Sequence, residues 1–157
     1  MKKNQSGSVV SIKKIHSYEQ TAVSNAVKKA VDDLGGICRF VKKGDTVLLK
    51  PNLLAAKTPE TAATTHPSVV QAAGELVRDC GAKVVIGDSP AIGSWNNITK
   101  KTGMAEVADR LGAKLVHFDK PVKVEKNEKH LFKLLEISKA ALEADLVINL
   151  PKLKTHT

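Results

Sequence analysis

A chain of 157 residues is long enough for one domain with a buried core, and 42% hydrophobic with 26% charged residues are globular proportions that exclude a disordered chain. No apolar run reaches the ~18 residues of a membrane-spanning helix, and residues 1–7 do not lead into a secretory apolar segment, so a soluble domain in the cytoplasm, with no membrane partner, is expected. The net charge of +9 raises nucleic acid as a partner, but 22 of the 25 basic residues are Lys, scattered in Lys–Lys pairs, and 3% aromatic residues leave few platforms for stacking bases. Nucleic acid therefore ranks below a solvated lysine-rich surface and below small anionic ligands.

Along the chain, Val9-Val10-Ser11-Ile12 reads as a first strand, and Ser17 with Gln20 has the spacing of a capping box. A helix follows, with Val23, Ala26, Val27, Ala30, Val31 and Leu34 on one stripe, and Gly35-Gly36 supplies its left-handed stop. Cys38 lies just beyond; it and Cys80 lack C-x-x-C spacing and are read as reduced, Cys80 on an apolar helix face. After the turn at Lys43-Gly44-Asp45, residues 46–49 form a short, near-continuous apolar run, typical of a strand buried on both faces, which delivers Lys50-Pro51-Asn52. Residues 53–65 are rich in Ala, Thr and Pro without a period, and loops of that length are usually functional or mobile.

Thr65-His66-Pro67 opens a second helix, since Pro suits the first helical position; its stripe is Val69, Val70, Ala73, Leu76, Val77 and Cys80, and Gly81 ends it. A buried-type strand over 83–86 delivers Gly87-Asp88-Ser89-Pro90, a third helix is expected around 103–111, and a strand over 114–118 ends at Asp119. The stretches R-D-C-G-A-K-V-V-I-G-D and D-R-L-G-A-K-L-V-H-F-D align 31 residues apart, the helix-end, Gly, strand, Asp pattern that βαβ units produce. Charged, alternating residues over 121–135 predict a hairpin with its turn near Lys126-Asn127-Glu128, followed by a short helix over 138–144 and a last apolar strand from Asp145. The expected fold is α/β, three-layered, with a mostly parallel sheet, helices on both faces and a small hairpin insertion.

The chemically unusual residues gather at the ends of the apolar strands, where ligand crevices of open α/β sheets lie: Lys50 and Asn52, Asp88 and Ser89, Asp119, and Lys152, Lys154, Thr155 and His156, with Thr65 and His66 opening a helix between two of these ends. Lysines beside a helix N-terminus suit a carboxylate or phosphate, and His66, Asp88 and His156 add general acid–base chemistry or a mixed N/O metal site. His117 reads as a core or edge residue, and His16 and His130 as surface residues. Neither a Gly-rich phosphate loop nor G-x-S-x-G nor H-E-x-x-H is present.

The ordered motifs K-P-N-L (50–53), T-T-H-P-S-V-V (64–70), G-A-K-V-V-I-G-D-S-P (81–90) and I-N-L-P-K-L-K-T-H (148–156) resemble the domain of unknown function 362 family. The resemblance runs over nearly the whole chain from Val9 and extends, more distantly, to the amino-terminal part of nickel-dependent lactate racemase. It implies an α/β fold and a protein of uncharacterised activity, in a family many of whose members carry a ferredoxin-type four-cysteine module. That module does not match Cys38 or Cys80, so an iron–sulfur cluster is expected only in longer members and not on this chain. The family's K-x-K-T-H motif continues into a Thr- and Gly-rich segment absent here, so residues 1–157 are expected to be a single domain cut from the N-terminal part of a longer protein.

The resemblance makes Lys50, Asn52, Thr65, His66, Asp88, Ser89, Lys152, Lys154, Thr155 and His156 the family's motif positions without fixing their roles; by residue chemistry Lys50, Asn52, Thr65, Ser89, Lys152 and Thr155 are the expected anion-binding set and His66, Asp88, Lys154 and His156 the expected catalytic set. Three functions compete: an enzyme-like domain acting on a small hydroxy or carboxylated acid, metal- or redox-linked; a non-catalytic module that docks an anion or cofactor beside a ferredoxin-like partner; and nucleic-acid binding by charge. Whether the chain is an enzyme stays open at this level. An unpaired strand edge near Leu146 makes homo-oligomers an expectation as well.

Overall fold

The protein is described by a computed structural model over residues 8–125 and 134–155. Its elements are α1 (Gln20–Asp32), β1 (Thr46–Pro51), α2 (Pro67–Asp79), β2 (Lys83–Asp88), α3 (Trp95–Lys101), α4 (Met104–Leu111), β3 (Lys114–His117), β4 (Pro121–Val124), β5 (Leu135–Ser138), α5 (Lys139–Glu143) and β6 (Leu146–Leu150), with one-turn 3₁₀ helices at Ile37–Arg39 and Pro59–Thr61. Four strands form one parallel sheet in the order β3-β2-β1-β6, while β4 and β5 pair antiparallel as a separate hairpin. The hairpin predicted from alternating charge is present; its turn lies outside the described residues.

The chain steps from β1 to β2 to β3 in one direction and then returns to place β6 on the other side of β1. Right-handed crossovers put the helices of opposite steps on opposite faces of a parallel sheet. Alternate residues show the two faces. Val47 and Leu49 of β1 and Val84 and Ile86 of β2 pack with Val70, Ala73 and Val77 of α2 and with Val107, Ala108 and Leu111 of α4 in the main core. Completely buried Val, Leu and Ile side chains contribute at most about 1.5–3 kcal/mol each, so this face carries most of the stability. On the reverse face Leu48, Val85 and Val116 floor a groove of about 610 Å³ walled by Ser138, Ala140 and Ala144 around α5.

Gly74 sets the approach of α2 to α4, because a Cβ there would run into the Leu111 side chain. At Gly87, the penultimate residue of β2, a Cβ would lie 2.5 Å from Cε1 of Phe118. Both contacts explain why glycine interrupts otherwise apolar elements.

Three local expectations are corrected and one helix is added. Residues 9–12 form no strand: Val9, Val10 and Ile12 are exposed, and the segment is tethered instead by Ser11 and Lys13 to Asp33 beyond α1. The cap of α1 is Glu19 rather than Ser17, its carboxylate accepting the N–H groups of Thr21 and Ala22 at 3.0 and 2.9 Å; a carboxylate makes the stronger, charge-assisted cap. Gln20 is thereby freed to donate to Ser24 Oγ and to the Ser68 carbonyl. The helix expected around 103–111 is present as α4, and an unexpected helix, α3, precedes it, the two parted at Gly103, whose φ of 75° is left-handed. Finally, Cys38 and Cys80 are not reduced but joined in a disulfide, with Cα atoms 5.6 Å apart, that ties the 3₁₀ turn to the C-cap of α2. Cys80 still packs against the core, as its helical spacing implies.

Candidate functional site

The reversal of strand order falls between β1 and β6, so the topological switch point of the sheet lies at the carboxyl ends of those two strands. The ends are joined by Thr65, which is buried. Its hydroxyl donates to the Leu150 carbonyl at the end of β6 (2.6 Å) and accepts the Asn52 N–H beyond β1 (2.9 Å). Its own N–H returns to the Asn52 carbonyl at 2.9 Å. Thr65 is thus the clasp of the switch point, with its hydroxyl already engaged. Beside it, Asn52 Oδ1 and Thr64 Oγ1 are buried with no hydrogen-bond partner among the described residues, an arrangement that is costly for buried polar atoms.

Lys50 and Asp88 meet across the ends of β1 and β2, with Lys50 Nζ 2.9 Å from Asp88 Oδ1. The other carboxylate oxygen accepts the N–H of buried Leu53 at 2.8 Å. The Asp88 side chain is only 7% exposed and that of Lys50 38%, so a buried carboxylate is satisfied from both sides and the loop after β1 is anchored to β2. The lysine expected to attract an anion is charge-paired within the protein.

His66 is the N-cap of α2. Its Nδ1 accepts the Ser68 N–H at 3.2 Å, which in the neutral ring places the proton on Nε2. Burial, and then the nearby Lys152 ammonium, hold the imidazole below its ordinary pKa, with Glu60 acting weakly in the opposite sense. His66 is therefore a neutral Nε2–H donor near pH 7. The Tyr18 ring stacks on it, centroids 3.9 Å apart and planes 12° apart. Lys152 Nζ lies 3.5 Å from the Tyr18 hydroxyl and 5.9 Å from the centre of its ring. The first turn of α2 presents no free N–H to a ligand there: Pro67 has none, Ser68 donates to His66 Nδ1, and Val69 donates to the His66 carbonyl.

The expected residues thus fall into two contact groups, Lys50 with Asp88 and the clasp of Asn52 and Thr65 on one side, and His66 with Lys152 on the other, joined through adjacent Thr65 and His66. Ser89 is exposed beyond β2, Lys154 is half-buried and Thr155 exposed on the tail, and His156 lies outside the described residues. Asp119 is not brought to this place; it borders the reverse-face groove with Lys120 and His117, whose ring stacks on Trp95 at 5.3 Å. Among the described residues no three His, Cys, Asp or Glu side chains converge as metal ligands. Sequence reasoning missed Tyr18, which lies two residues before α1 inside the Ser17–Gln20 stretch read only as a helix cap; being the chain's single tyrosine was its one further signal.

The sequence profile described as "Domain of unknown function (DUF362)" matches residues 47–157, and the chain belongs to this family. It is also similar to the thylakoid-associated protein sll1697 of Synechocystis, with 40% identity over 147 residues, 94% of this chain and 45% of that protein. The chain therefore spans less than half the length of that relative. No solved structure matches. Among the described residues no helix is long and apolar enough to cross a membrane.

Proposed function

We propose that this member of the family binds a small anion, a carboxylate or phosphate belonging to a substrate or cofactor, at the switch point between β1 and β6. The observation that carries the reading is the pairing of Lys152, which makes no ion pair among the described residues, with a neutral His66 whose Nε2–H remains to donate. One cation and one oriented neutral donor suit an anionic oxygen. On the same tail Lys154 extends the cationic side and Thr155 adds a neutral hydroxyl, and Ser89 lies beyond β2. Among the described residues Asn52 Oδ1, an acceptor, and the Thr64 hydroxyl, a donor and acceptor, have no partner, which favours a ligand that also carries hydroxyl groups. Lys50 and Asp88 act by fixing the floor of the site.

In the whole protein this site is read as part of an enzyme-like domain, metal- or redox-linked, with His66 and His156 moving protons. One observation favours the alternative of a non-catalytic docking module beside a ferredoxin-type partner: both oxygens of Asp88 are engaged, which leaves His66 as the described side chain able to exchange a proton. The cytoplasmic location read from the sequence remains a proposal beside the thylakoid association stated for the relative.

Calorimetric titration with inorganic phosphate, oxalate and glycolate tests the reading. Saturable one-to-one binding of at least one of them, weakened tenfold or more by Lys152→Ala, is expected. Absence of binding at tens of millimolar, together with duplex DNA affinity falling steeply with salt, would replace it by charge-driven nucleic-acid binding. Turnover of a hydroxy acid by a longer form of the protein separates the enzyme from the docking module.

A further inference from the structure

We infer that Tyr18 is a positioning residue of the strand-end site, its ring fixing the plane of His66 and its hydroxyl holding Lys152 so that Nε2–H and Nζ face one ligand together. Tyr18 comes from the segment before α1, outside the residues that the family profile matches, and nothing in the motifs at the strand ends points to it. It is 48% exposed, so burial does not account for its place. What does is a set of three contacts with the site. The ring lies nearly parallel to the imidazole at 3.9 Å, the hydroxyl meets Lys152 Nζ at 3.5 Å, and the Tyr18 carbonyl accepts the Ser68 hydroxyl at 2.9 Å, which locks the backbone of residue 18 to the first turn of α2.

The second of these residues needs such a guide. Lys152 stands on an irregular tail beyond β6, followed by Leu153, which is 98% exposed. A flexible lysine on such a tail spends rotamer freedom to meet a ligand, and the Tyr18 hydroxyl, 3.5 Å from the ammonium at the edge of the ring, reduces that cost by accepting one of its hydrogen bonds. His66 has one ring nitrogen committed to Ser68, so only rotation about its own bonds would misplace Nε2–H; the stacked ring removes that freedom. The charged groups around the imidazole are Lys152 and Glu60, on the tail and on the loop before α2.

The inference rests on the anion-binding reading for its purpose, and its test separates the two. In the ligand-free full chain, ¹H–¹⁵N NMR of the histidine ring reports the tautomer and titration of His66. In Tyr18→Leu the His66 titration is expected to move up toward that of an ordinary histidine and the Nε2–H signal to broaden; in Tyr18→Phe, which keeps the stack, both are expected to stay as in the wild type. An unchanged His66 in Tyr18→Leu would overturn the inference whatever the protein binds. Phosphate titration of the same variants is expected to show a loss of about tenfold for Tyr18→Leu and about threefold for Tyr18→Phe. Wild-type phosphate affinity in both would also overturn it, while loss of phosphate binding in Lys152→Ala would still uphold the site. A wild-type chain that ignores phosphate, with His66 altered in Tyr18→Leu, upholds the positioning role and refutes phosphate as the ligand.

Discussion

Removing the carboxylate of Asp88 has a cost that the geometry specifies. The side chain is 7% exposed and holds two groups, Lys50 Nζ at 2.9 Å and the N–H of Leu53 at 2.8 Å. In Asp88→Ala the Leu53 N–H, on a fully buried residue, loses its acceptor, which costs about 1–3 kcal/mol. Lys50, 38% exposed, regains water, so its share is near the ~1 kcal/mol of an exposed pair rather than the 3–5 kcal/mol of a buried one. The sum is about 2–4 kcal/mol. Asp88→Asn keeps an acceptor for Leu53 and is expected to cost about 1–2 kcal/mol. Equilibrium urea unfolding followed by far-UV circular dichroism measures both, and a double-mutant cycle of Asp88→Asn with Lys50→Met isolates the pair, with a coupling of about 1 kcal/mol. A loss below about 0.5 kcal/mol in Asp88→Ala, within the range of ordinary surface substitutions, would refute the assignment of Asp88 as the anchor of the loop after β1. Because of the pairing, replacing Lys50 is expected to lower stability as well as to disturb ligand binding.

Two further outcomes follow from the same structure. Because the folded His66 titrates below its unfolded value near 6.5, the unfolded chain binds more protons between those two points; His66 thus contributes stability above pH ~6.5 that is lost as pH falls through its folded pKa. Urea midpoints measured from pH 7.5 to 5 are expected to show wild type falling relative to His66→Gln in that window, and parallel curves would contradict the neutral ring. Reducing the Cys38–Cys80 bond releases a 42-residue separation and is expected to cost up to about 4 kcal/mol by loop-closure entropy; an unchanged urea midpoint in dithiothreitol would show that the link does not constrain the unfolded chain.

The parallel sheet was legible because β1, β2 and β6 are near-continuous apolar runs, and because the repeated helix-end, Gly, strand pattern announces crossovers. Residues 9–12 carry strand-forming side chains too, but whether a segment pairs is decided by a neighbour far along the chain, which local pattern does not contain. The same limit hid the Cys38–Cys80 pairing, set by the turn after Gly36 and by where α2 ends rather than by cysteine spacing. At the site, residue types and their strand-end positions were readable, whereas their roles were not. That Lys50 is paired with Asp88, that the Thr65 hydroxyl is a clasp, and that the Ser68 and Val69 N–H groups at the start of α2 are already taken are facts of hydrogen-bond geometry. Tyr18 reaches the site through tertiary packing alone.

The clasp between Asn52 and Thr65 has a practical consequence. Two hydrogen bonds at its neck, Thr65 N–H to Asn52 O and Asn52 N–H to Thr65 Oγ1, close the loop of residues 53–64 independently of its tip, while Leu53 at the neck is buried and Thr58, Glu60, Thr61 and Ala62 at the tip are exposed. Lengthening a closed loop is inexpensive, about 0.6 kcal/mol for each doubling. The tip is therefore a place where an epitope, a fluorophore-bearing peptide or a tether for surface immobilisation can be grafted, within reach of the switch point and outside the bonds that hold it together.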